Sequence, residues 1–280
     1  MLQRKKIKKP ANALKVLEQT SRTFYLPIVR LPAGLQEAVI SGYLCMRAID
    51  EIEDHPDLPK DVKVKLLNGI SLLLQSQTAI EDFAHDRFEA LFAPYSDQLP
   101  EVSLRLSEWA CFAPNFIAAR IWEATAAMAD RMGHWAANGF KVVTRGDLDR
   151  YTYGVAGAVG LLLCDIWAWY EEIQIHRSKG IQFGRALQSV NILRNRDEDL
   201  ERGVDFYPDD WTDQEMQAYA RINFKEFDDY LSELPETTFI DFVRIPRALA
   251  LATLDAIAEG REKLTRTEVL QIVAGLKSPT

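Results

Sequence analysis

From about residue 13 onward, apolar residues recur at three- and four-residue spacings almost without a break. No convincing stretch shows the strict in–out alternation of a half-buried strand, and no hairpin signal joins two such stretches. Such a chain must bury helix stripes against other helix stripes. No low-complexity linker, internal repeat or shift in composition divides its 280 residues. The pattern therefore predicts one all-α domain over residues 13–280, preceded by a basic tail at residues 1–12.

Proline and glycine set the expected helix ends. Pro32 suits a first helical position, so LPAGLQEAVISGYLCMRAIDEIED reads as one helix stopped by His55-Pro56. Pro59, Pro100, Gly139, Gly180 and Gly203 punctuate further helical stretches. Thr144 is the expected N-cap of TRGDLDRYTYGVAGAVGLLLCDIWAWYEE. Residues 224–260 read as a long helical stretch with breaks near Pro235 and Pro246.

Charge and cysteine content narrow the function. A formal net charge of -8 argues against general nucleic-acid binding, which needs a basic footprint. An anionic ligand must then be held by local cations or by metal. Cys45, Cys111 and Cys164 show no metal-ligand spacing and read as reduced core thiols of a cytoplasmic protein. The opening MLQRKKIKKP lacks a following apolar region and is not a secretory signal. It reads as a solvated tail, with attraction to anionic lipid as the weaker alternative. The most apolar run, VAGAVGLLLCDIWAWY, is short and carries Asp165, so no membrane span is expected and lipid contact would be peripheral.

Two acidic clusters carry the chemistry. In Asp50-Glu51-Ile52-Glu53-Asp54, helical geometry puts Asp50 and Asp54 on one face with Arg47 and Tyr43, opposite Leu44, Ala48 and Ile52. In ALQSVNILRNRDEDLERG, one stripe runs Gln188-Asn191-Asn195-Asp199-Arg202 and another Arg194-Glu198. Either cluster by itself is what a solvated helix end looks like. Two of them, each flanked by arginine at the end of an apolar helix, suit Mg²⁺ held between helices by a few carboxylates and substrate phosphates. A di-iron centre would need Glu-x-x-His on two helices, which is missing, and four histidines give little support to zinc or haem. The small residues of Tyr151-Thr-Tyr-Gly-Val-Ala-Gly-Ala-Val-Gly160 suit either close helix packing or a thinned wall beside a ligand, with a hydroxyl from Tyr151 or Tyr153.

Together these blocks resemble the squalene/phytoene synthase family. SRTFYLPIVRLP is similar to its Ser-Arg/Lys-Ser-Phe segment, and YLCMRAIDEIED to its first aspartate motif in the Asp-x-x-Glu-Asp form. RMGHWAANGFKVVTRGDLDRYTYGVAG resembles the approach to its Tyr-x-x-x-Val-Ala-Gly helix. LQSVNILRNRDEDLERGVDFYP resembles its second aspartate motif with the following Phe-Trp/Tyr-Pro. IPRALALATL resembles a late helix of squalene synthases in particular. The blocks run from about residue 20 to 257.

The resemblance implies an isoprenoid-synthase helical bundle around a central cavity. The implied activity is Mg²⁺-dependent head-to-head joining of two farnesyl diphosphates through a cyclopropyl diphosphate. The product is squalene if NADPH delivers hydride, or a dehydrosqualene-type C30 compound if a proton leaves instead. By position, Asp50, Asp54 and Asp199 would bind Mg²⁺–diphosphate, with Glu198 beside them. Arg47 and Arg194 would hold phosphate oxygens, and Tyr43, Gln188 and Asn191 would line the site. Tyr151 would assist proton removal, and Ser21 and Arg22 would lie near a diphosphate or the nicotinamide. Arg261, Lys263 and Arg266 stand where squalene synthases have a basic loop. The absence of the eukaryotic C-terminal membrane anchor fits a soluble, bacterial-type member.

The second motif departs from the family at its first position, where Asn195 replaces Asp. A neutral amide offers Mg²⁺ one carbonyl oxygen, so this corner of the site should bind metal more weakly. Three outcomes are consistent with that change. The remaining carboxylates suffice; or one diphosphate ionises and a prenyl alcohol or cyclised product is released; or catalysis is lost and the chain serves as an isoprenoid-binding or assembly protein.

Overall fold

The computed structural model describes residues 12–21, 23–234, 236–261 and 263–276, and every regular element among them is helical. The first half contains α1 (Ala13–Thr20), α2 (Tyr25–Val29), α3 (Leu35–Glu53), α4 (Lys60–Gln75), α5 (His85–Phe92), α6 (Glu101–Leu104), α7 (Leu106–Ala110) and α8 (Asn115–Ala137). The second half contains α9 (Arg145–Thr152), α10 (Ala158–Glu171), α11 (Arg177–Glu201), α12 (Asp213–Leu231), α13 (Thr238–Ala258) and α14 (Arg266–Gly275). A π-helical turn, Tyr153–Gly157, joins α9 to α10. The basic tail, apart from Asn12, lies outside the described residues, as does Arg22.

α3 is central. It packs on α8 and α10 and is fastened to the α6–α7 corner by two buried hydroxyls. Ser41 donates to the carbonyl of Trp109 at 2.7 Å, and Ser103 donates to the carbonyl of Ala48 at 2.7 Å. Leu44, Ala48 and Ile52 are each fully buried, so the polar stripe of α3 faces the other way. α4 lies along α8, and α11 lies between α10 and α12. Val190 and Leu193 of α11 are buried, again leaving the polar stripe for the site.

The glycines of the Tyr151–Gly160 region seat α10 and the π turn against α11. A Cβ on Gly160 would sit 2.0 Å from the carbonyl oxygen of Gly180, and one on Gly184 would sit 2.2 Å from that of Ala156. Backbone meets backbone here, so the close-packing reading accounts for these small residues. A π turn interrupts the α-helical hydrogen bonding within this run, at Tyr153–Gly157.

Four expectations from the sequence need correction. α3 begins at Leu35 rather than Pro32, because Gly34, at φ +89°, turns the chain and has its N–H capped by the Glu37 carboxylate at 2.5 Å. Gly180 does not separate helices; it lies inside α11 as a contact glycine. Pro246 does not break α13, which runs through it between buried Ile245 and Leu249. Packing on both sides outweighs the one hydrogen bond that proline cannot donate. Finally, the continuous helical stretch Arg145–Glu171, 27 residues, is long and apolar enough to cross a membrane by length and composition. In the fold, 56% of its most apolar window is buried against neighbouring helices, which is how a core helix passes the same test. Gly139 and Gly203 do end helices as expected, at φ +68° and +76°.

Candidate active site

The C-terminal ends of α3 and α11 meet. Asp54, the residue capping α3, and Asp199, in the last turns of α11, both accept hydrogen bonds from Arg202. The Arg202–Asp54 contact is 3.1 Å, and Arg202 also pairs with Asp199 three residues earlier on its own helix. One guanidinium thus joins the two acidic clusters that sequence spacing singled out.

Tyr151 of α9 lies beside this junction. Its side chain is 5% exposed, and the carboxylates that act on it are Glu53, Asp54, Asp50 and Asp199. Burial, reinforced by those negative charges, pushes its hydroxyl well above the usual tyrosine range. It therefore stays a neutral phenol at physiological pH. The ring is stacked on Phe206 with centroids 4.4 Å apart and meets Trp135 edge-on at 5.4 Å. Phe206 and Trp135 form an aromatic wall that sequence reasoning missed. The Phe-Tyr-Pro block that follows the second motif was the available signal.

On α3, Arg47 pairs with Asp50 at 2.5 Å and with Glu51, while its Nε is buried with no partner. Asp50 keeps 32% of its side chain open to solvent, yet loss of solvent is the strongest influence on its carboxyl. Burial and then the Asp54 charge push its carboxyl up to about 7, with Arg47 pulling the other way. Glu53 is nearly inaccessible at 4%, and its Oε1 has no hydrogen-bond partner. Burial and its two acidic neighbours hold its carboxyl well above the usual range. Asp199 is raised as well, by burial foremost, against the pull of Arg202. Three carboxyls so destabilised as anions make a place where an added cation is favoured.

Tyr43 donates to the carbonyl of Thr20 at 2.8 Å and is close to buried Ser21, whose hydroxyl accepts from the Phe24 N–H at 2.9 Å. The Ser21 segment therefore does lie against the polar stripe of α3. On α11, Arg194 donates to Asn191 at 2.8 Å and to Asn195 at 3.1 Å. Gln188 is half-buried earlier on the same helix, and Glu198 is exposed, contributing charge next to Asp199. Arg194 is thus drawn toward the amides, and no Arg194–Glu198 ion pair forms among the described residues.

The fit to Mg²⁺ can be read from these groups. Among the described residues no three Asp, Glu, His or Cys side chains converge closely enough to enclose a cation by themselves. Mg²⁺ does not require that, since it takes one or two carboxylates and completes its shell with water and phosphate oxygens. The raised carboxyls and the unpartnered Glu53 Oε1 fit such a partner. In the basic loop, Arg261 is paired with Glu259 at 2.9 Å and with Glu268 at 2.8 Å.

Comparison with known proteins places the chain in a family. The model of the squalene/phytoene synthase family matches residues 17–218. The chain belongs to that family. It is 28% identical to the squalene synthase of Schizosaccharomyces pombe over 92% of this chain and 63% of that protein. It is 26% identical to the Homo sapiens squalene synthase over 86% of this chain and 62% of that protein. The chain thus spans a little over three-fifths of the length of these relatives. A solved complex of TcSQS with the ligand E5700 superposes with a TM-score of 0.71 at 20% identity, covering 96% of this chain and 86% of that one. A dehydrosqualene synthase in complex with ligand superposes at 0.60 and 18% identity, covering 95% and 94%. These likenesses show the family's all-α isoprenoid-synthase fold.

Proposed function

We propose that the chain is a Mg²⁺-dependent prenyltransferase that joins two farnesyl diphosphates head to head, through a cyclopropyl diphosphate, into squalene or a dehydrosqualene-type C30 product. The observation that carries this reading is the meeting of the α3 and α11 acidic ends beside buried Tyr151, with Arg202 joining Asp54 to Asp199.

Asp50, Asp54 and Asp199, with Glu198 alongside, would hold Mg²⁺, which supplies positive charge to the departing diphosphate. Arg47 is placed on the same stripe as Asp50 and offers guanidinium donors to phosphate oxygens. Arg194 does the same from α11. Tyr43, Gln188 and Asn191 extend the polar lining, and Ser21 borders it. The buried phenol of Tyr151 would accept a proton from the reacting carbon only while passing its own proton to a diphosphate oxygen or a neighbouring carboxylate, so its role is relay and orientation rather than that of a standing phenolate. The Phe206 and Trp135 rings keep water from the carbocation side of Tyr151.

The reduced, buried thiols and the packing of the α9–α10 stretch support a cytoplasmic protein whose membrane contact is peripheral. The deciding experiment is incubation of the purified chain with farnesyl diphosphate and Mg²⁺, with and without NADPH, beside Asn195→Asp. A C30 hydrocarbon from the wild type is the expected result, and its dependence on NADPH names the product. Farnesol or a cyclised C15 product from the wild type, with C30 appearing only in Asn195→Asp, would identify a phosphohydrolase or cyclase instead. No turnover by either would leave an isoprenoid-binding or assembly protein.

A further inference from the structure

Arg202 occupies a place that the metal reading reserves for a cation. Its guanidinium lies between Asp54 and Asp199, which are 145 residues apart in sequence (199 − 54) and belong to different acidic helices. Arginine carries donors only, so it can serve here solely as a positive partner. Asn195 has also removed one negative charge from the second motif, so a single guanidinium offsets more of what remains. The Arg202 side chain is 40% exposed, which leaves it room to move outward.

We propose that Arg202 is an internal counter-ion that competes with Mg²⁺ for Asp54 and Asp199, holding the α3 and α11 ends together until the metal takes its place. This rests on the reading that these carboxylates bind Mg²⁺. The two partners oppose each other on simple grounds. An oxygen that accepts from Arg202 has one lone-pair direction fewer, and less electron density, to offer a metal. A cation on the carboxylates' remaining oxygens would sit within a few ångströms of a fixed positive charge. Filling the site with metal therefore favours displacement of the guanidinium toward solvent, where it is free to meet a substrate phosphate.

The test is direct binding of Mn²⁺ to the full chain without substrate, followed by the free-ion paramagnetic resonance signal, for wild type, Arg202→Gln and Arg202→Lys. Melting temperature in EDTA and in saturating Mn²⁺ is measured on the same samples. Arg202→Gln should bind Mn²⁺ about three- to tenfold more tightly, as removal of one partly exposed competing cation allows. It should melt lower than wild type in EDTA, with the gap closing once Mn²⁺ is bound. Arg202→Lys, which keeps charge but loses the fork, should fall between the two. If folded Arg202→Gln binds Mn²⁺ equally or less tightly than wild type, the proposal is overturned. Should Arg202→Gln not fold, Arg202→Lys decides by the same criterion. If the wild type and both variants all fail to bind Mn²⁺, the metal reading itself fails, a result distinct from equal binding by all three.

Discussion

Asn195 donates through Nδ2 to the Oδ1 of Asn191, one helical turn earlier and 3.2 Å away. The same Asn191 oxygen accepts from Arg194, and Arg194 also donates to Asn195. An aspartate at 195 could not donate to Asn191. Its carboxylate would draw Arg194 toward itself and add a negative charge one turn before Asp199. Asn195→Asp should therefore bind Mn²⁺ more tightly than wild type by about tenfold, the order expected of one added charged ligand. Calorimetric titration in the absence of substrate checks this, and unchanged affinity would mean that position 195 faces away from the metal.

Gly184 tests the backbone packing that places Tyr151. Its Cβ position lies 2.2 Å from the Ala156 carbonyl oxygen, inside a rigid contact between α11 and the π turn. Alanine normally favours a helix over glycine by about 1 kcal/mol. Here overpacking should reverse that sign and destabilise the protein by about 1–3 kcal/mol. Urea denaturation of Gly184→Ala measures it. Gly203→Ala is the comparison, because that site has open space around it and only the cost of φ +76°, about 1–2 kcal/mol.

The polar stripes of α3 and α11 were legible because residues one turn apart share a face whatever the tertiary structure does. Asp50, Asp54, Arg47, Asp199 and the burial of Leu44, Ala48 and Ile52 follow from that rule. Periodicity carries no information on which helix ends meet, so Arg202 read as one more member of a stripe rather than as the bridge to Asp54. Phe206 and Trp135 look like ordinary core aromatics in sequence. Only the chain's return over α9 turns them into the walls of the Tyr151 site. Pro246 shows the converse limit, since a local helix-breaking signal was outweighed by burial of its neighbours on α13. Glu53 was visible as part of an acidic run, but its near-complete burial was not.

The three thiols are expected to be inert in the native state. Cys45, Cys111 and Cys164 are all buried, and loss of solvent pushes Cys111 and Cys164 up to about 12 and Cys45 further still. Thiolate is the reactive form, so native protein should react negligibly with a disulfide reagent over minutes. Addition of denaturant should release all three. Rapid reaction of a native thiol would show that the segment carrying it opens readily.

The N-terminus of α9 carries an acid-sensitive cap. Asp147 accepts from the Thr144 hydroxyl at 2.7 Å and the Thr144 N–H at 2.8 Å, and these bonds, led by the hydroxyl, hold its carboxyl down at about 2 against an ordinary 3.8. A carboxyl lowered by folding contributes stability that is fully present above its unfolded value and is lost as pH falls through the folded one. Wild type should therefore melt above Asp147→Asn at neutral pH, with the gap narrowing as pH drops from 3.8 toward about 2. Thermal melts across that range decide it, and a gap independent of pH would assign the effect to geometry rather than charge.

Phe206 ties the loop after α11 to the chemistry of Tyr151. It is 7% exposed, stacks on Tyr151 at 4.4 Å and meets Phe140 edge-on at 6.1 Å. The adjacent Tyr207 is held by Arg196, 3.6 Å above its ring, and by Asp213, which accepts from its hydroxyl at 2.9 Å. The loop is thus clamped from one side while Phe206 covers the phenol from the other. Phe206→Ala should destabilise the fold by about 3 kcal/mol, the lower part of the range for a buried ring. It should also admit water to Tyr151 and to Trp135 beyond it. Red-shifted tryptophan emission, read against a Trp135→Phe control, would report that wetting without any substrate. In the proposed reaction the same opening should raise the share of prenyl alcohol over coupled C30 product, because water then reaches the cation first. Phe206→Leu separates volume from stacking. If leucine restores both emission and product ratio, exclusion of water is what Phe206 supplies, and if it restores neither, the stacked ring is needed to hold Tyr151 in place.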